Sequence, residues 1–255
     1  METAVKRGKY IYCVIESNQA QSFGSPGVGG RGDELHTICF NDIAVVVSNS
    51  PIIKYPVSRE NTLAHEKAIE EVMEKYVVLP VRFCTIAEDE KKVKKILERE
   101  HDKFKDLLDE IKGKKELGLK AIFKEDVIYK DILEKHEGIR KLKEGLASKP
   151  PEATHYERME IGKMVETALQ KEKEICEKEI INALLPLAVE HKTNNTYGER
   201  MIINAAFLVE KSKETEFDQK VQELDGKYGN KIKFKYVGTL PPFNFVNLVI
   251  NIGEY

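Results

Sequence analysis

The sequence predicts an α+β protein of two domains, each a sheet covered by helices. Three observations lead there. Short apolar runs with strand composition alternate with long charged stretches that carry apolar residues at helical spacing. The chain has 255 residues, which suits one large domain or two small ones. Its hydrophobic content of 41% supplies a core and is too high for disorder. The division is expected near Lys124. Residues 1–124 then form an N-terminal ferredoxin-like sheet with helices on one face. Residues 125–255 form a ferredoxin-like, helix-rich α+β domain built on a long helix.

Taken in order, residues 9–15 read as a strand. Residues 17–33 are polar and glycine-rich and read as a mobile loop. Residues 35–40 and 43–48 form a hairpin around Asn41 and Asp42. Ser58 caps a helix whose stripe is Ile69, Val72, Met73 and Tyr76, with His65 one turn before Ile69 as a structural residue. Residues 88–112 are a helix with Val93, Ile96, Leu97, Phe104, Leu107, Leu108 and Ile111 inward. Residues 116–123 return as a strand at period two. Residues 125–146 read as one helix, and a longer one starts near Thr154 and kinks or ends at Pro186. A polar turn over 192–198 leads to a strand over 200–210. An amphipathic helix follows, with Phe217, Val221, Leu224 and Tyr228 inward. Ile232, Phe234 and Tyr236 alternate with Lys231, Lys233 and Lys235, which gives one apolar and one basic face. Residues 246–252 close the chain as a strand.

The central stretch is 77–86, Val-Val-Leu-Pro-Val-Arg-Phe-Cys-Thr-Ile. It reads as a strand buried on both faces, with Pro80 at its start or lead-in. Arg82 between Val81 and Phe83 then needs a carboxylate or carbonyl partner. It is assigned a structural role, bridging strand to helix, against the alternative of an anion or partner contact at the strand end.

Composition excludes several functions. A net charge of −2 selects neither nucleic acid nor an acidic membrane. No apolar run approaches the ~20 residues of a membrane span. Residues 1–9 lack a signal core, and a cytoplasmic protein follows by default. Cys13, Cys39, Cys84 and Cys176 have no metal-ligand spacing and read as free thiols. Gly24 to Gly32 lacks the Gly-Lys-Ser/Thr of a phosphate loop and reads as a linker. Arg31-Gly32-Asp33 is a chance tripeptide. His65 has no second histidine four residues on, and His101 reads as a half-buried packing residue. No nucleophile or carboxylate pair sits in an activating setting. The expectation is therefore a protein without catalytic activity, metal or cofactor.

Pro241-Pro242 stiffens the chain ahead of Phe243 and Phe245. Such a loop either plugs a gap between domains or presents a docking surface, and the plug is favoured for at least one ring.

Five segments carry a family resemblance. Residues 10–14 are an opening strand, Tyr-Ile-Tyr-Cys-Val. Residues 79–85 give Leu-Pro-Val-Arg-Phe-Cys-Thr after a helix holding His65. Residues 116–120, Glu-Leu-Gly-Leu-Lys, fit an E-x-G-x-K strand. Residues 204–209 read Asn-Ala-Ala-Phe-Leu-Val, and 238–246 read Gly-Thr-Leu-Pro-Pro-Phe-Asn-Phe-Val. Together they resemble the gas vesicle GvpL/GvpF family. Cys84 departs from a usual glycine, Thr239-Leu240 from Pro-Trp, and Met164 lies near a common tyrosine. The resemblance implies an accessory protein of gas vesicles that binds the small hydrophobic shell protein and other accessory proteins during assembly. Its expected location is the gas vesicle in the cytoplasm, with no nucleic-acid or membrane partner. The expected contact surface is Pro241, Pro242, Phe243 and Phe245 or the adjoining sheet, with the lysine face around Lys233 as the alternative should that segment be a bystander. The rival is a small-molecule-binding or enzymatic ferredoxin-like protein, which would need a closed pocket with convergent polar groups.

Overall fold

The computed structural model describes residues 6–246, 248–250 and 252–254. The chain divides into two compact units, Met1–Glu116 with Thr239–Tyr255, and Leu117–Gly238. The sequence keeps the closing residues with the second half, whereas in the structure they belong to the first unit.

The first unit contains β1 (Arg7–Glu16), β2 (Ser22–Pro26), β3 (Glu34–Phe40), β4 (Ile43–Pro51), α1 (Arg59–Met73), β5 (Val78–Pro80), β6 (Ile86–Ala87) and α2 (Glu90–Ile111). Its antiparallel sheet has the order β2-β3-β4-β1-β5, and β6 also pairs with β1. Part of the expected mobile loop is thus strand β2. The hairpin turn falls at Asn41, whose φ of 51° is one that asparagine tolerates. Ser58 caps α1 by accepting the Asn61 N–H at 3.2 Å, and Asp89 caps α2 through Lys92 N–H at 2.8 Å.

The helices lie on both faces of this sheet, which corrects the expectation of one covered face. Ile96, Leu97, Phe104 and Leu108 of α2 pack on Ile11, Val14, Val45 and Val47. Ala68, Ile69 and Val72 of α1 pack on Tyr10, Tyr12, Ala44 and Val46 from the other side. The physical cause is the unbroken apolar runs Tyr10–Ile15 of β1 and Ile43–Val47 of β4, which leave no face of that part of the sheet for water. A bulge at Tyr12 shifts the β1–β4 register between Ile11 and Cys13. It places Tyr10, Tyr12, Cys13 and Ile15 in the same core, where strict alternation would have split them.

The 77–86 stretch is not one strand. It pairs with β1 as β5, loops out over residues 81–85 with only the two ends of the loop still bonded to β1 (Val81 N–H to the Tyr12 carbonyl, Ile11 N–H to the Thr85 carbonyl), and returns as β6. Pro80 ends β5 rather than starting it, and Arg82 is exposed on the excursion rather than enclosed. The closing strand is also corrected. Val246, Leu248 and Ile250 are irregular in backbone, yet they pack into the α2-side core.

The second unit contains most of β7 (Lys114–Phe123) and of β10 (Ile232–Leu240). Between them run α3 (Glu125–Lys135), α4 (Glu137–Ala147), α5 (His155–Leu184), β8 (Glu190–Thr193), β9 (Met201–Glu210) and α6 (Glu214–Tyr228). The sheet order β10-β7-β9-β8 with this succession is ferredoxin-like, its first helical crossover expanded into α3, α4 and α5. One core joins Leu119, Phe123, Phe207 and Ile232 to Ile128, Ile132, Ile180, Leu184 and Phe217. The helix expected over 125–146 is broken at His136, whose φ of −114° and ψ of 82° are not helical. Pro186 lies in the 3-10 turn that follows α5, so it ends the helix without kinking it.

Candidate functional site

The excursion between β5 and β6 is built on two buried tyrosines of β1 and one histidine of α1. Strand β1 brings the Tyr10 and Tyr12 rings within 4.8 Å of each other. The His65 ring stacks on Tyr12 at 5.6 Å. A buried phenol needs a hydrogen-bond partner, and the excursion supplies one. The Cys84 N–H donates to the Tyr10 oxygen at 2.8 Å, and the Tyr10 hydroxyl lies 3.2 Å from His65 Nδ1. His65 Nε2 lies 3.0 Å from the Val81 carbonyl. A carbonyl can only accept, so Nε2 carries the proton and Nδ1 receives the Tyr10 hydroxyl. The imidazole therefore holds the start of the excursion directly and its end through Tyr10. Burial pushes its pKa down to about 4, an effect that the hydrogen bond to Val81 opposes only in part. Burial also raises the Tyr10 and Tyr12 phenols, against the hydrogen bonds each receives.

Tyr12 anchors the glycine-rich stretch in the same way. Its oxygen receives the Val28 N–H at 2.8 Å and pairs with Ser48 Oγ at 2.9 Å. Gly27 passes so close to Ser48 and Tyr12 that a Cβ there would collide with them. The residues read as a free linker are thus pinned at this point. Arg31 and Asp33 of the chance tripeptide bind each other at 2.9 Å, and Arg31 also donates to the Val28 carbonyl.

The Pro241-Pro242 segment lies in the same unit. The Pro242 carbonyl accepts the N–H groups of Phe245 and Val246 at 3.1 and 2.8 Å. The buried Glu116 carboxylate accepts both the Asn244 N–H at 2.9 Å and its side-chain amide at 2.6 Å. The turn is therefore fixed on two sides. Phe243 stands 41% exposed, its ring 6.4 Å from that of His65. Phe83 lies 5.7 Å from His65 and is half-buried. Ile53 is exposed near Cys84, whose Sγ faces the Ile53 carbonyl at 3.8 Å and receives the Tyr55 N–H at 3.3 Å. The structure thus brings His65, Phe83 and Phe243 together around one partly apolar patch, with Arg82 exposed on the adjoining loop.

Lys233 and Lys235 stand exposed on β10 in the second unit. Lys231 is committed elsewhere. It pairs at 3.0 Å with Glu172, which also takes Lys135 at 2.8 Å. Burial raises the Glu172 pKa, but these two lysines more than offset it, and the carboxyl is held low. Tyr10 and Tyr12 are the residues the sequence reading missed. Their signal was two phenols in a strand with no other polar side chain from Tyr10 to Ile15. Among the described residues no group of three His, Cys, Asp or Glu is placed to hold a metal, and no helix is long and apolar enough to cross a membrane.

These features define a two-unit α+β protein whose second unit is ferredoxin-like and whose first unit carries a pinned aromatic turn. The family model for gas vesicle synthesis protein GvpL/GvpF matches residues 8–247. The chain belongs to that family, and is a gas-vesicle-associated protein. Gas vesicle protein F of Dolichospermum flosaquae is 26% identical over 242 residues, covering 94% of this chain and 97% of the relative. Gas vesicle protein F1 of Halobacterium salinarum is 22% identical over 248 residues, covering 96% and 95%. The crystal structure of gas vesicle protein GvpF from an Anabaena species matches with a TM-score of 0.78 at 23% identity, covering 95% of this chain and 99% of that one. The Microcystis aeruginosa GvpF structure matches at 0.74 and 22%, covering 94% and 99%. At these identities the two structures bear on the fold alone.

Proposed function

We propose that this protein assists gas vesicle assembly by binding the small hydrophobic shell protein, without catalytic turnover, metal or cofactor. The family supplies the partner class. The observation that carries the placement is Phe243, a large ring left 41% exposed on a turn fixed by Pro241, Pro242 and Glu116. Presenting an aromatic on a preordered turn costs little ordering entropy on association. The half-buried Phe83 and the exposed Ile53 extend the apolar surface, and Arg82 gives it a cationic edge. Other accessory proteins of the vesicle are the further partners, with Lys233 and Lys235 as a basic strand face for them.

The experiment is capture of the shell protein by the Phe243→Ala variant, with the melting temperature measured alongside. An interface aromatic contributes about 2 kcal/mol or more, so capture should weaken by more than about tenfold. The melting temperature should stay within about 2 °C, since the ring is largely out of the core. A large fall in melting temperature with capture intact would assign Phe243 to packing and overturn the placement.

A further inference from the structure

We infer that α3, α4 and α5 of the second unit form a docking groove for an acidic amphipathic helix of a partner protein, separate from the Phe243 patch. The three helices enclose a concavity of about 360 Å³. Its floor is Tyr129, Leu133, Leu146, Ile161 and Val165, and its charged members are Lys143 and Arg158. No carboxylate lines it. An adjoining concavity shares Tyr129, Gly162 and Val165 and runs on to Leu169 and Lys173; Glu166, midway along α5, and Glu199 also line it, so the cationic end of the groove is the one at Lys143 and Arg158. From Arg158 to Lys173 the groove follows α5 for about 22 Å, the length of about 15 helical residues.

Gly162 is the second observation. It stands within the 30-residue helix α5, where glycine costs about 1 kcal/mol relative to alanine. Its backbone needs no glycine, and a Cβ built on it would meet nothing within 4 Å. What the missing side chain provides is depth, because Gly162 lines both concavities. A groove of this form receives large apolar side chains spaced three and four residues apart.

The charge selects the sign of the partner. Arg158 spends hydrogen bonds on Thr154 Oγ1 and on the Leu146 carbonyl, yet its guanidinium stays exposed and cationic. Lys143 is exposed and makes no ion pair among the described residues. A basic helix entering at this end meets two like charges, whereas an acidic one is held.

The probe is a synthetic helix-forming peptide of about 15 residues, leucine at every third or fourth position and glutamate between. Its lysine counterpart is the control. The full-length protein should bind the glutamate peptide at least about tenfold more tightly than the lysine peptide in fluorescence anisotropy. Gly162→Leu should weaken that binding by about tenfold or more without lowering the melting temperature, since the site is open and leucine is the better helix former. Lys143→Glu should narrow the preference between the two peptides. Capture of the shell protein at the Phe243 patch should be unaffected by either change, which separates the two sites. Equal binding of both peptides, no binding of either, or binding indifferent to both substitutions overturns the inference. A dimer of the free protein that Gly162→Leu dissolves would overturn it too, by making a second copy the occupant.

Discussion

Protonation of His65 opposes folding, and the direction follows from its surroundings. In the unfolded chain the imidazole titrates near 6.5, and in the native protein burial holds it at about 4. Above pH 6.5 neither state is protonated and the difference vanishes. Between 6.5 and 4 the unfolded chain binds a proton that the native protein does not, so stability falls as pH falls. Below 4 the loss is complete, at about 3 kcal/mol. His101 works against this, because Asp102 and Asp42 raise its pKa and stabilise the fold as pH falls through that raised value. Subtracting a His65→Gln variant isolates the His65 contribution. From pH 7 to pH 5 the melting temperature of the native sequence should fall more steeply than that of the variant. Parallel pH profiles would mean that His65 titrates normally.

At the level of the element, the excursion over 81–85 shows what the sequence declares and what it hides. Cys84 sits at a φ of 66°, in the left-handed region that favours glycine. Valine there would add a β-branched side chain to an unfavourable backbone, and Cys84→Val should destabilise by about 1–3 kcal/mol in denaturant unfolding. Glycine should be tolerated within about 1 kcal/mol, since it relieves the backbone while losing the sulfur contacts. If valine and glycine behave alike, the conformation at Cys84 is not under strain. With cysteine rather than glycine at position 84, nothing local marks the break, and the apolar run reads as continuous strand. The bulge at Tyr12 is equally silent, since it changes register without a glycine. The break at His136 has no proline, and the glycine nearest it, Gly138, already lies inside the first turn of α4. The features that were legible carry local chemistry: the Ser58 cap, the Asn41-Asp42 turn, and the stripe of α2. Of the site, Phe243 and its prolines stood out because proline states its own backbone. The Tyr10–His65 bond did not, because it joins positions 55 residues apart.

For the whole molecule, the decisive feature is that the first unit is closed by residues that follow the second. Val246, Leu248 and Ile250 fill its α2-side core, and Asn244 satisfies the buried Glu116. Each buried aliphatic contributes about 1.5–3 kcal/mol, so ending the chain after Gly238 removes a sum comparable to the whole stability of a domain. In such a truncation the first unit should lose hydrogen-exchange protection while residues 117–238, which are continuous in sequence, keep most of theirs. Equal protection in both would mean that the closing segment is dispensable. The same feature sets an order of events on the ribosome. Strands β1 to β4 and helices α1 and α2 emerge first, but Val246, Leu248 and Ile250, which complete the α2-side core, arrive last, after the ferredoxin-like unit has been made. Until then a nascent chain exposes part of an apolar sheet face, and a pause in translation anywhere over 117–238 prolongs that exposure and the risk of aggregation.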